Sequence, residues 1–202
     1  MPGRNIYKDY VTDSYYHIYN RGVNKELIYK DNQDYEVFLG IVKRYLGIAA
    51  VSKPNRVSYK SHRGCVELLT YCLMPNHFHL LVFQNENDAM TNFMRSLSVS
   101  YSMYFNKKYK RQGPLFQQRY RAVRIDDDSQ LLHISRYIHL NPDNYKYYKW
   151  SSYEYYTGRK HANWLNLGRI LELFEEDYIQ FIADYKANRD ESKVLEGVLL
   201  DD

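Results

Sequence analysis

Apolar and polar positions alternate from Tyr15 to Arg21 (YYHIYNR), a β-rich run that stops at Gly22, and this predicts a strand. From Asp31 to Leu46 the period changes. Tyr35, Phe38, Leu39, Val42, Tyr45 and Leu46 recur at helical spacing behind Asp/Asn capping candidates, which predicts an amphipathic helix. The stretch 51–64 is polar, basic and proline-containing, and reads as a loop. Cys65 to Met74 and His77 to Gln84 read as two strands hinged at Pro75-Asn76, an antiparallel hairpin. A long helix follows from Ala89 to Lys110. Met90, Phe93, Met94, Leu97, Tyr101, Tyr104 and Phe105 form its apolar stripe, and Gly113-Pro114 closes it. Arg119 to Ile125 (RYRAVRI) alternates basic and apolar residues, so a strand is expected with Arg119, Arg121 and Arg124 on one wet cationic face.

The order β-α-β-β-α-β predicts an α+β fold, a ferredoxin-like antiparallel sheet with two helices on one face. Asp126-Asp127-Asp128-Ser129 caps a further helix, which runs to Leu140 and stops at Asn141-Pro142. A tyrosine-rich connector leads through Trp150 to Gly158, and an acidic amphipathic helix is expected around Leu165 to Tyr185. The expected organisation is one domain over residues 10–158 and a C-terminal helical extension with an acidic tail over 159–202. No internal repeat is evident.

At 202 residues and 45% hydrophobic the chain can bury a real core. No segment approaches the roughly 20 apolar residues that span a bilayer, so no membrane partner is expected. The opening MPGRNIYKDY is polar and lacks the apolar stretch of a secretory signal. Cys65 and Cys72, seven apart in a predicted strand, face opposite ways; two thiols without a disulfide framework suit a reducing, cytoplasmic setting.

Net charge is only +4, but it is unevenly spread. No acidic residue occurs from Ala89 to Ile125, where Arg95, Lys107, Lys108, Lys110, Arg111, Arg119, Arg121 and Arg124 are basic. From Glu175 onward nine acids face three bases. A basic block suggests a polyanionic ligand, and a solvated helix face explains the same charges. The 23 tyrosines among these cations suit stacking on unpaired bases, although most must serve packing.

One stretch poses a sharper question. Met74 to Leu81 reads MPNHFHLL, a hydrophobic strand with two histidines. Strand alternation puts His77 and His79 on one face with Leu81 and Phe83, and Phe78, Leu80 and Val82 on the other, beneath the two sheet helices. The histidine face is too apolar for water, and the helix from Ser129 is the element available to cover it. A His-x-His pair is a metal pair or an incidental one. With no third His or Cys nearby in sequence, a closed structural zinc site is not expected. His17, His62, His133, His139 and His161 read as packing or surface residues.

MPNHFHLL, preceded by VELLTYCL, resembles the His-hydrophobe-His (HUH) motif of IS200-like single-tyrosine transposases. YHIYNRG, GPLFQQRYRAVRI, RYIHLNP and WSSYEYY are similar, in that order, to motifs of the REP-associated tyrosine transposase branch. The resemblance covers about Tyr15 to Gly158. It implies that the helix after the last strand is catalytic, with Tyr137 attacking a DNA phosphodiester. It also implies Asn141 as third metal ligand beside His77 and His79, by analogy with the REP-associated branch, since some relatives use glutamine. The metal would be Mg²⁺ or Mn²⁺, acting as a Lewis acid. The implied products are a 5′-phosphotyrosine link and a free 3′-hydroxyl, and reversal on another strand gives strand transfer without ATP. The implied substrate is single-stranded DNA folded as a hairpin.

Helical spacing independently puts Tyr137 and Asn141 one turn apart on one face. Composition alone would not select Tyr137, and Tyr145 and Tyr153 are its rivals. Asn141 before proline is also an ordinary helix-ending residue. For DNA contact the candidates are Arg119, Arg121 and Arg124, then Lys107, Lys108 and Arg111, with Arg21, Lys53, Arg56, Lys60 and Arg63 secondary. A homodimer with an exchanged tyrosine helix and a monomer are both compatible with the family. Two other readings stay open: a non-catalytic single-stranded nucleic-acid-binding module, and a metal-dependent nuclease or hydrolase whose histidines activate water. A replication initiator or relaxase is a further possibility within the HUH class, though the short domain and single candidate tyrosine favour a transposase.

Overall fold

The computed structural model describes residues 10–47, 61–174 and 177–187. Four strands, β1 (Ser14–Arg21), β2 (Val66–Met74), β3 (His77–Gln84) and β4 (Arg121–Ile125), form one antiparallel sheet in the order β2-β3-β1-β4. Helices α1 (Asn32–Tyr45) and α2 (Ala89–Tyr109) make the two crossovers. This is the predicted ferredoxin-like arrangement, with α3 (Asp128–Leu140) added after the last strand.

Alternation along the strands feeds two cores. Ile18, Leu68, Tyr71, Phe78, Leu80 and Val82 pack with α1 and α2, whose Phe38, Val42, Phe93, Leu97 and Phe105 come from the predicted stripes. Leu69, Cys72, Leu81 and Phe83 face the other way and meet Leu131, Ile134 and Ile138 of α3. A register shift between Leu68 and Thr70 in β2 lets Leu69 join this second core. Cys72 is buried in the second core and Cys65 is packed against the first.

The element ends follow their capping chemistry. Asp31 and Asp34 form a reciprocal capping box at α1, and Asp127 accepts from the Gln130 amide at 2.8 Å to start α3. The β2–β3 hairpin turns at Pro75-Asn76 as expected, and the loop after β1 grips it. The Pro75 carbonyl accepts from the amides of Ile28 and Tyr29 at 2.9 and 3.1 Å, and the Asn76 carbonyl from Gly22 at 2.8 Å. A methyl group at Gly22 would meet the Glu26 carbonyl at 2.1 Å, so only glycine fits this clasp.

Two expectations change. The helix expected over Leu165 to Tyr185 is divided into α5 (Gly168–Leu171) and α6 (Tyr178–Ala187), which follow the short α4 (Tyr153–Tyr156). The cause is that this stretch serves both cores: Trp164 and Leu165 fill the first, while Ile170, Tyr178 and Ile182 fill the second. β4 begins at Arg121, leaving Arg119 outside it. Arg121 pairs with Tyr19 and Arg124 with Tyr16, and those neighbours face opposite sides. Arg121 and Arg124, an odd number of residues apart, therefore do not share a face. Of the loop predicted over 51–64, the part to residue 60 lies outside the described residues, as do Lys53, Arg56, Lys60, the polar opening before Tyr10 and the acidic tail.

Candidate active site

Register converges polar side chains at one end of the sheet. Arg21 is paired with His77, Tyr19 with His79 and Arg121 with Tyr19, all on the face that α3 covers. The C-terminal turn of α3 lays Tyr137 and Asn141 over them. The Tyr137 ring lies edge-on 5.4 Å from that of His79, and the two histidine rings are 5.1 Å apart. Asn141 reaches between the imidazoles, with Oδ1 3.2 Å from His77 Nε2 and Nδ2 3.4 Å from His79 Nε2. The four residues named for catalysis and metal binding thus meet at one point.

These side chains line a cavity of about 440 Å³ with Tyr19, Arg21, Lys25, Asn76, Gln117, Gln118 and Arg121. Among the described residues no carboxylate lines it. Arg21 Nε donates to Gln117 Oε1 at 2.6 Å, and the Gln117 amide donates to the Arg21 carbonyl at 2.9 Å, which ties the segment before β4 to the end of β1. Tyr145 and Tyr153, the rival nucleophiles, are buried in the second core. Tyr19, not considered from sequence, is the tyrosine that shares the cavity with Tyr137.

Burial decides the protonation of the inner histidines. His79 is almost fully buried, and burial, followed by the neighbouring His17 and His77, holds it well below the ordinary imidazole value. Burial lowers His17 to about 3. Both are neutral imidazoles at neutral pH, with one lone pair each.

The donor set fits a divalent cation. His77 Nδ1 sits 2.6 Å from Asn76 Oδ1, an acceptor, so the single N–H of a neutral His77 is directed there. The Nε2 lone pair then faces the Asn141 carbonyl oxygen, two acceptors aimed at shared space. Among the described residues no cluster of three His, Cys, Asp or Glu could hold a metal, so any such site here depends on the asparagine oxygen.

The basic candidates disperse. Arg21 and Arg121 line the cavity, joined by Lys25, whose backbone lies in the left-handed region at φ 59°. Arg119 lines a second cavity of about 600 Å³ between α2 and residues 113–120. Lys108 is held by Asp31 and Asp34 at 2.7 and 2.8 Å, Arg111 pairs with Glu26 at 3.4 Å, and Arg124 pairs with Asp126 at 3.1 Å. Lys107 and Arg63 are exposed. Sequence reading missed Tyr19, Lys25, Asn76, Gln117 and Gln118. The place of the last two within GPLFQQRYRAVRI, and of Asn76 beside His77, was the available signal.

Residues 55–141, which include the two histidines, Tyr137 and Asn141, match the family model described as Transposase IS200 like. A Haemophilus influenzae protein provisionally named REP-associated tyrosine transposase is 33% identical over 93 residues, covering 40% of this chain and 52% of the relative. The chain therefore spans about half the length of that curated relative. A solved REP-associated tyrosine transposase bound to a REP hairpin superposes with a TM-score of 0.55 at 15% identity, over 76% of this chain and 85% of the other. That likeness concerns the fold. The resemblance drawn from the motifs and the ferredoxin-like α+β class are both borne out.

Proposed function

We propose that this chain, through its IS200-like transposase segment, cleaves and rejoins single-stranded DNA folded as a hairpin, with Tyr137 as nucleophile. One observation carries the reading: Tyr137 and Asn141 lie on one face of α3, directly over His77 and His79, in a cavity flanked by Arg21, Lys25 and Arg121. His77, His79 and Asn141 would hold Mg²⁺ or Mn²⁺, which supplies Lewis-acid polarisation of the scissile phosphate.

The side chains divide the remaining work. Arg21, Lys25 and Arg121 attract and seat the phosphates flanking the reacting one. Tyr137 Oη attacks phosphorus, the bond from phosphorus to the 3′ oxygen breaks, and the phenolic proton ends, in net balance, on the released 3′-hydroxyl. The 5′ phosphate stays on Tyr137 as a diester, so a second 3′-hydroxyl can reverse the step. Packing against the buried histidines limits where the ring can lie, and such fixed geometry lowers the entropic part of the barrier.

Both rivals meet a structural obstacle. An open, stacking sheet platform is not available where α3 covers the second face. Hydrolysis by activated water calls for a general base, and among the described residues no carboxylate lines the cavity. The test is covalent trapping on labelled hairpin DNA. Wild type and Tyr19→Phe are expected to give a denaturation-resistant adduct with Mg²⁺. Tyr137→Phe, the His77→Ala/His79→Ala double variant and EDTA-treated protein are expected to give none. Cleavage without an adduct would support the hydrolase instead.

A further inference from the structure

From sequence His17 reads as a packing or surface residue, and its surroundings argue for more. It is fully buried, on the same sheet face as His79 and diagonal to it across β1 and β3. His17 Nε2 lies 2.9 Å from His79 Nδ1, with the rings stacked at 5.1 Å. Its other nitrogen, Nδ1, is buried and has no hydrogen-bond partner among the described residues. A buried histidine kept for packing normally satisfies both nitrogens. His139 does so, with Nδ1 on Tyr178 Oη and Nε2 on Ser152 Oγ, each at 2.7 Å. His17 makes one bond, and that bond goes to His79.

Its direction follows from what surrounds His79. Asn141 Nδ2 is a donor and faces His79 Nε2, so Nε2 accepts and Nδ1 carries the hydrogen. We propose that His17 is a positioning residue: it accepts the His79 Nδ1–H bond and so keeps the Nε2 lone pair of His79 aimed at Asn141 and the Tyr137 ring. The inference rests on the metal-dependent reading of the site. Without the acceptor, His79 can move its hydrogen to Nε2 and present an N–H where a ligand needs a lone pair. Asn76 does the same for His77, so each imidazole has its own backing acceptor. Tyr137 closes the group, its ring 6.0 Å from that of His17.

The experiment uses the full chain with ¹⁵N-labelled imidazoles, without metal, followed by titration with Mn²⁺. In wild type, His79 should show the Nδ1–H tautomer. His17→Phe keeps a flat ring and removes the acceptor; His79 should then redistribute its hydrogen, and Mn²⁺ affinity should fall about 10- to 100-fold. His17→Gln, which returns an acceptor, should restore most of that affinity and the tautomer. A wild-type His79 carrying Nε2–H would overturn the proposal. So would a His17→Phe protein with native melting and unchanged Mn²⁺ affinity. The wild-type tautomer is read before any variant is made, so a variant that fails to fold does not rescue the idea. Failure of wild type to bind Mn²⁺ would count against the metal reading itself, whereas the tautomer pattern still decides the His17–His79 link.

Discussion

Asp34 shows how much one residue can hold. Its buried carboxylate accepts from the Lys30 and Asp31 amides, from Tyr104 and Tyr109 hydroxyls and from Lys108 Nζ, joining α1 to α2. Burial alone would raise this carboxyl, but the bonds from Lys108, the Lys30 amide, Tyr109 and Tyr104 outweigh it and hold it below the ordinary value. A depressed carboxyl contributes stability that is fully present above its unfolded pKa and is lost as pH falls through the folded one. Asp34→Ala should therefore cost about 3 kcal/mol near neutral pH, as when one member of a buried ion pair is removed. Urea melts should show the gap from wild type narrowing in acid, and an unchanged gap would remove charge from the explanation. This network was illegible in the sequence because Lys108 lies 74 residues from Asp34, and Lys108 read as one cation in a basic run. His17 was hidden for a related reason. Alternation gives the face of a strand but not its neighbour, and only the β1–β3 register brings His17 to His79.

At the scale of elements, α3 is held from both sides. Below it lies the sheet, through Leu131, Ile134 and Ile138. Above it lies α6, where Phe181 and Tyr185 sit 4.3 and 3.8 Å from the Arg136 guanidinium and Tyr178 bonds His139. Arg136 and His139 lie on either side of Tyr137 in sequence, so α6 braces the helix that carries the proposed nucleophile. Tyr178→Phe keeps the ring but leaves His139 Nδ1 without a partner, and should cost about 1–3 kcal/mol in thermal or urea melts. Adduct formation should decline at temperatures below the global transition as α3 loosens. An unaltered adduct rate close to melting would detach α6 from the site. The existence of α3, its cap and its end were legible from Asp126-Asp127-Asp128-Ser129 and Asn141-Pro142. The division of the last predicted helix was not, since periodicity cannot tell a stretch serving one core from a stretch serving two.

Across the whole molecule, the excess of positive charge in sequence is a poor guide to which cations line the cavity. Three of the eight cations of the basic block, Lys108, Arg111 and Arg124, are engaged in pairs with Asp31, Asp34, Glu26 and Asp126, while Arg21, Lys25 and Arg121 line the cavity. Arg121→Ala should weaken hairpin binding and lower the slope of log affinity against log salt by about 0.7, the share of one single-strand phosphate contact. Arg124→Ala, facing the other side of the sheet, should leave that slope unchanged in the same titration. Equal losses for both would indicate a diffuse charge effect rather than contacts at the cavity. In the proposed reaction Tyr137 takes the 5′ phosphate of the cleaved strand. Its most direct measurement is mass spectrometry of the trapped complex after nuclease and protease digestion. The expected result is a peptide containing Tyr137 that carries a 5′-linked nucleotide phosphate, with Tyr19 unmodified. A nucleotide on Tyr19 or another residue, or cleaved DNA with no modified peptide, would contradict it.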